Sequence, residues 1–279
     1  MSSASLSTQL RVTYVGTATV LLELQRGPDH LRVLTDPVFD APGASYALGG
    51  FRYTRLAPPA LSPQQLPPID LVLLSHDHHG DNFDSSGRRV AADADEILTT
   101  PAGAARLSAQ GLGRVRGLAP WAATTLRRGG LSLEVTATPA RHGPPLSLPI
   151  VGRVTGFLLE WTGQQGGPLW ISGDTVWHRA LEPLAERRID TALMHVGAAG
   201  PRLAPFFRVS MDARELAHAT ERLSIRRVCP IHYEGWTHFQ QGQAQVRAEL
   251  ERRGLAERCL WLAPAIPIDL GASLAAVGS

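Results

Sequence analysis

Four apolar runs in this chain end in residues that bind metal ions. Leu71 to Ser75 leads into His76-Asp77-His78-His79-Gly80-Asp81-Asn82, and Leu133 to Pro139 leads into Ala140-Arg141-His142. Trp170 to Gly173 leads into Asp174, and Val228 to Ile231 leads into His232. Imidazoles and carboxylates gathered from several loops suit zinc first, with manganese or iron(II) as alternatives. His76 and His78, two apart, face the same side if the backbone there stays extended. A structural zinc site more often draws on thiolates, and Cys229 and Cys259 are badly placed to supply them. The nitrogen and oxygen set instead points to a catalytic centre with a position left open for water. Taken singly, His142 reads as a hydrogen-bonded residue and Asp174 as a turn residue. Their joint placement after apolar strands is what indicates metal.

Such residues meet only if rigid elements carry them. Arg11 to Val15, Ala18 to Leu24 and Leu31 to Leu34 read as strands broken by Gly16 and Gly27-Pro28. Further strands are predicted at Asp70 to Leu74, Glu96 to Thr99, Leu131 to Thr138, Val154 to Trp161, Leu169 to Ser172, Thr191 to Met194 and Arg227 to Ile231. Helical spacing occurs at Val176 to Arg187, where Pro183 intrudes, and at Met211 to Leu223, with Ser210 as its N-cap. Gln241 to Arg253 is a third helix. Phe39 to Pro68, rich in Pro, Gly, Ala and Ser, reads as an ordered surface loop flanking the site. Strands first, then strands alternating with helices, predict a layered α/β arrangement. No composition break divides residues 1–279, so a single domain is expected.

Composition excludes more than it identifies. All 27 basic residues are Arg, so Schiff-base catalysis, pyridoxal chemistry and a phosphate loop ending in Gly-Lys are ruled out. A net charge of +2 without a basic tract argues against nucleic acid as a partner. The two cysteines make no disulfide framework, and Cys229 in its apolar run reads as a small buried hydrophobe. No stretch approaches the roughly 18 apolar residues of a transmembrane helix, and the first residues are not a leader, so a cytoplasmic protein is expected.

Tyr14-Val15-Gly16-Thr17-Ala18-Thr19, Thr35-Asp36-Pro37-Val38-Phe39, Ser75-His76-Asp77-His78, Pro139-Ala140-Arg141-His142, Ser172-Gly173-Asp174-Thr175 and Pro230-Ile231-His232-Tyr233 follow one another in a familiar order. Over residues 10–265 the chain resembles metallo-β-lactamase-fold hydrolases. The nearest branch in these motifs contains the bacterial ascorbate-6-phosphate lactonase and the N-acylphosphatidylethanolamine-hydrolysing phospholipase D. The resemblance implies an αββα sandwich with the metal centre at one edge. It implies that His76, His78 and His142 hold a first metal, that Asp174 bridges to a second, and that His232 binds the second. The family pattern His-x-His-x-Asp-His is broken here, because Gly80 and Asp81 follow His79. A one-residue shift puts Asp81 in the Asp role and leaves Asn82, a poor zinc ligand, where the second-site His belongs. One or two ions are therefore compatible with the motif. His79 is a substitute ligand only if it turns inward, and the alternative role for Asp81 is to cap a helix starting near Asn82. Asp36 is expected to support the ligands by hydrogen bonding.

What the resemblance implies for chemistry is a metal-bound hydroxide attacking a small ester, lactone or phosphodiester. Asp81 or Asp174 would orient it and pass its proton to the leaving group. His195 is a candidate hydrogen-bond partner of substrate or of a ligand residue, or else a buried structural histidine; Trp236 and His238 are pocket wall or core. Arg141, Arg202 and Arg208 are candidate holders of an anionic substrate, and Trp177, Phe206 and Phe207 of an apolar mouth. A metal-binding sensor without catalysis and a nuclease are the alternative readings.

Overall fold

Alternating burial along the strands of the computed structural model, which describes residues 7–48, 51–201, 204 and 206–270, builds two main sheets. The first half of the chain supplies β1 (Gln9–Gly16), β2 (Thr19–Arg26), β3 (Asp29–Thr35), β4 (Ser45–Leu48), β5 (Phe51–Thr54), β6 (Leu71–Leu73), β7 (Glu96–Thr99) and β8 (Val115–Gly117). The second supplies β9 (Ala123–Arg128), β10 (Leu131–Thr138), β11 (Gly156–Trp161), β12 (Leu169–Ile171), β13 (Thr191–His195), β14 (Arg227–Ile231) and β15 (Ile268–Asp269). One sheet has the order β15-β1-β2-β3-β6-β7-β8 and the other β14-β13-β12-β11-β10-β9, while β4 and β5 form a separate hairpin.

Side-chain parity decides which face each residue serves. Val12, Leu22, Val33 and Leu73 of the first sheet pack against Leu133, Val135, Phe157 and Leu159 of the second in one buried cluster. On the outer face of the second sheet, Leu158, Trp170, Met194 and Val228 pack against α4 (Ala213–Arg222) and α5 (Gln243–Arg252) through Leu216, Val246 and Leu250. On the outer face of the first, Leu34, Val72 and Ile97 pack against α1 (Ser85–Ala92) and α2 (Pro101–Ala109) through Ala91 and Leu107. The result is an αββα sandwich. Each fully buried Leu, Val or Phe in these layers contributes roughly 1.5–3 kcal/mol, so the three apolar layers dominate the stabilisation.

Several local expectations need correction. The helix expected over Val176 to Arg187 is a 3-10 segment confined to Arg179–Arg187, because Pro183 lacks the N–H an α-helix requires. The cap of α4 is Asp212, whose side chain accepts from Glu215 N at 2.8 Å, and Ser210 is instead buried, accepting from Ala199 N at 3.0 Å. The helix after the histidine motif begins at Ser85, and Asp84 caps it by accepting from Gly87 N at 2.6 Å. The loop from Phe39 to Pro68 carries the β4–β5 hairpin. No helix among the described residues is long and apolar enough to cross a membrane.

Candidate metal centre

Strand direction explains why residues so far apart in sequence converge. β12, β13 and β14 run parallel, and β10 shares their direction because both β10 and β12 are antiparallel to β11. β3 and β6 run parallel in the other sheet. The carboxyl ends of these strands share one edge of the sandwich, where loops can build a site. Asp36 follows β3, His76 follows β6, His142 follows β10, Asp174 follows β12 and His232 follows β14. Asp36 and His232 adopt positive φ of 31° and 62°, conformations that side chains other than Gly adopt only when their surroundings hold them. The backbone N–H of His232 donates to Thr17 O at 2.7 Å, part of what holds it.

Three imidazoles form the first group. His79 Nδ1 lies 3.0 Å from His76 Nε2 and 2.9 Å from His142 Nε2. His142 Nδ1 donates to Val209 O at 2.7 Å, which leaves the Nε2 lone pair facing the other rings. His79 turns inward because the chain is not extended here: Asn82 N and Phe83 N both donate to His79 O, at 3.2 and 2.8 Å. Bends at Asp77 and His78 bring His79 back toward His76. His78 sits further out, its side chain 23% exposed. Its Nε2 donates to Val151 O at 2.6 Å, while its ligand atoms still group with those of His76 and His79 within 4.8 Å.

Asp81, Asp174 and His232 form a second group within the same 4.8 Å limit, and Asp174 also groups with His76 and His142. Asp174 thus adjoins both groups, as a bridging carboxylate must. His232 Nε2 lies 3.3 Å from Asp81 Oδ2, and its Nδ1 lies 3.5 Å from Asp174 Oδ1. His238, from beyond β14, places Nε2 2.8 Å from Asp81 Oδ2. Asn82 is fully buried and donates from Nδ2 to Asp36 Oδ2 at 3.3 Å, while Asp36 Oδ1 accepts from Ser75 N at 2.6 Å. Asp36 therefore holds the backbone at the mouth of the histidine motif. Gly80 cannot carry a side chain, because a Cβ there would lie 2.3 Å from the Tyr46 ring.

Around this core the other expected residues divide. His195 is fully buried behind the cluster, its Nε2 3.3 Å from Asp36 Oδ2 and its ring centroid 5.3 Å from that of His232. Those surroundings place it beside the ligand residues. Arg141 is half-buried, donates to Trp177 O at 3.1 Å, and lines a cavity of about 580 Å³ together with His142. Arg208 is committed to ion pairs with Asp212 and Glu215, so it is not free for an anion. Arg202 lies outside the described residues. Phe206 is exposed, Phe207 packs in one cluster with Trp236, and Trp177 packs separately against the outer helical layer.

The beta-lactamase superfamily domain is matched over residues 31–233, most of the chain and both groups of candidate ligands. The chain belongs to the metallo-β-lactamase superfamily of hydrolases. A metal-dependent hydrolase of Pyrobaculum neutrophilum is 26% identical over 245 residues, covering 87% of this chain and 92% of that protein. Among solved structures, an isothiocyanate hydrolase from Delia radicum gut bacteria superposes with a TM-score of 0.77 at 20% identity, over 94% of this chain and 100% of that one. A possible metal-dependent hydrolase of Veillonella parvula gives 0.75 at 19% identity, over 95% and 100%.

The charge state of this hydrolase's centre follows from burial. Burial first, then the neighbouring rings, pushes the His76 and His79 imidazoles well below their usual range. The same causes bring His142 down to about 3, and burial brings His232 to about 4 despite Asp81. Burial would raise Asp81, but His238 and His232 beside it hold its carboxyl below the ordinary range. Burial, then Asp81 and Asp36, raise Asp174, and the Asn82 amide nearby offsets only part of this. Both oxygens of Asp174, both ring nitrogens of His232 and Oδ1 of Asn82 are buried without a hydrogen-bond partner. Buried polar atoms are rarely left so, and a group of them converging from separate loops fits a cation. Zinc–nitrogen bonds near 2.0–2.1 Å put tetrahedral ligand atoms about 3.3 Å apart, close to the spacing of the three imidazole nitrogens. The residues fit a metal.

Proposed function

We propose that this superfamily hydrolase cleaves a small ester, lactone or phosphodiester at two adjoining metal positions. The observation that carries the proposal is the sharing of Asp174 by the two ligand groups, with its carboxylate oxygens buried and unpartnered. His76, His79 and His142 would hold the first ion, with His78 beside them as the alternative third imidazole. Asp81, Asp174 and His232 would hold the second. The donor set suits zinc, with manganese or iron(II) next. When bound, such ions supply Lewis acidity toward water and toward the carbonyl or phosphoryl oxygen under attack.

The chain's own groups perform the rest. Val209 O fixes the His142 tautomer, and His238 aims Asp81. Burial keeps His76, His79, His142 and His232 neutral at ordinary pH, so their lone pairs are available. Asp81 or Asp174 would orient the attacking water and pass its proton to the leaving oxygen. Arg141, at the cavity beside His142, would hold an anionic part of the substrate. The motif resemblance to the lactonase and phospholipase branch supports the same range of scissile groups. Elemental mass spectrometry of protein purified without chelator, paired with turnover of a nitrophenyl ester, a lactone and bis(nitrophenyl) phosphate, tests the reading. Two ions per chain with turnover of at least one substrate is expected. No metal after reconstitution would sink it.

A further inference from the structure

The cavity of about 580 Å³ beside the metal centre has a lining that narrows the substrate class further than the hydrolase reading does. Much of its wall is apolar, with Leu118, Leu148 and Val154 among its residues. Arg141 and Arg153 also line it, and no Asp or Glu does. Elsewhere arginines such as Arg106, Arg116 and Arg128 are met by carboxylates. Among the described residues neither Arg141 nor Arg153 has a carboxylate partner, and Arg141 Nε is buried with no acceptor at all. The same wall includes Thr100 and Pro101, the N-cap and first residue of α2, whose helix dipole turns its positive end to this space. The unneutralised charge of Arg141 also adds to burial in holding the nearby His178 at about 4.

Charge of one sign in a largely apolar cavity, with only neutral polar groups beside it, selects for shape and charge together. A volume of this size is in the range that accepts a drug-sized molecule, and a lone phosphate or acetate would leave most of it unfilled. We propose that the cavity binds the body of the substrate, a singly charged carboxylate-bearing ester or lactone with an apolar acyl or aryl part. The apolar part packs on Leu118, Leu148 and Val154, the carboxylate pairs with Arg141 and Arg153, and the scissile group lies toward His142. In the reaction the acyl C–O bond breaks, water supplies hydroxyl to the acyl carbon and a proton to the leaving oxygen, and the products are an acid and an alcohol from an ester, or one hydroxy acid from a lactone. This assignment rests on the hydrolase reading for its reaction, but binding can be measured without turnover.

Calorimetric titration of the purified protein with 4-phenylbutyrate, 4-phenylbutanol and acetate separates the contributions. The aryl carboxylate is expected to bind at least about tenfold tighter than either the matched alcohol or acetate. Arg141→Gln with Arg153→Gln, and separately Leu148→Asp at the 46% exposed rim, should each weaken it by a similar factor without changing metal content. Leu148→Asp alters an exposed side chain, so it guards against a double variant that fails to fold. Equal affinity for the alcohol and the carboxylate overturns the assignment, and so does undiminished binding in folded variants. If no ester is hydrolysed while binding follows the expected pattern, the proposed reaction fails and the cavity assignment stands.

Discussion

His238 Nε2 lies 2.8 Å from Asp81 Oδ2, although 157 residues separate them in sequence, and both side chains are nearly fully buried. Asn82, next to Asp81, stands where the motif would place a histidine. The second ligand group thus receives an imidazole neighbour from beyond β14 instead of from its own loop. His238 donates to the carboxylate and keeps it ionised, which is what a ligand needs. His238→Ala is expected to lower affinity for the second ion about 10- to 100-fold, leaving the first ion in place. His238→Gln, which keeps a donor near the same point, should recover part of the loss. Competition with a colorimetric chelator measures both, and unchanged affinity in the alanine variant would remove His238 from this role.

His78 and His79 are adjacent but differently placed, so they give a sharp comparison. His79 Nδ1 lies within about 3 Å of two other imidazole nitrogens, whereas His78 donates from Nε2 to Val151 O and has only Nδ1, 3.6 Å from Asp77 Oδ1, to offer an ion. His79→Ala should remove about one ion per chain and cut kcat at least about 100-fold. His78→Ala should keep most of the metal and lose less activity. The reverse ranking in elemental analysis would restore His78 as the third imidazole of the first site.

The sequence made the strand ends legible because each joins an apolar run to a ligand type, and the structure gathers His76, His142, Asp174 and His232 at those ends. The position of His79 was not legible, because it depends on a turn closed by Asn82 and Phe83 amides that no pattern in His-Asp-His-His announces. Gly80 was readable only as a departure from a motif; its cause, the Tyr46 ring pressed against it from β4, belongs to tertiary packing. α2 is another kind of miss. Thr100-Pro101 is a readable start signal, yet Gly103 and the short run of apolar residues conceal the helix that follows. His238 carried no signal beyond its type, since its partner arrives from the other sheet.

A stability prediction follows from the way α1 is seated. A Cβ on Gly87 would lie 1.7 Å from Pro37 O, a backbone atom that cannot rotate away. Gly87→Ala must therefore shift α1 or the Asp36-Pro37 segment, at a cost of about 3 kcal/mol. In a chain of this size that lowers Tm by roughly 6–12 °C. Asp36 supports Ser75 N and Asn82, so metal affinity should fall as well. A thermal melt within a degree or two of the parent would show that the contact relaxes freely.

The pH dependence of the chelator-stripped protein tests the electrostatics. Its direction follows from proton counts. His142 at about 3 and His232 at about 4 lie below the ordinary imidazole value of 6.5, so below that pH the unfolded chain binds more protons. Their contribution to stability is therefore complete above about pH 6.5 and is lost as pH falls toward their folded values. Each such group costs about 1.4 kcal/mol per pH unit, or roughly 3–6 °C in Tm for a chain of this length. Asp174 works in the opposite sense: its folded value is raised, so it takes up a proton before the unfolded chain would and offsets part of the loss. Asp174→Asn should accordingly be more stable than the parent when stripped at pH 7, and its Tm should fall more steeply between pH 6.5 and 4.5. With metal present the ranking should reverse at pH 7, because the variant forfeits a ligand shared by both groups. Differential scanning fluorimetry across that range, with and without chelator, reads all of these slopes. A stripped parent whose Tm is flat from pH 6.5 to 4.5 would show that the imidazoles are not held neutral as the buried cluster requires.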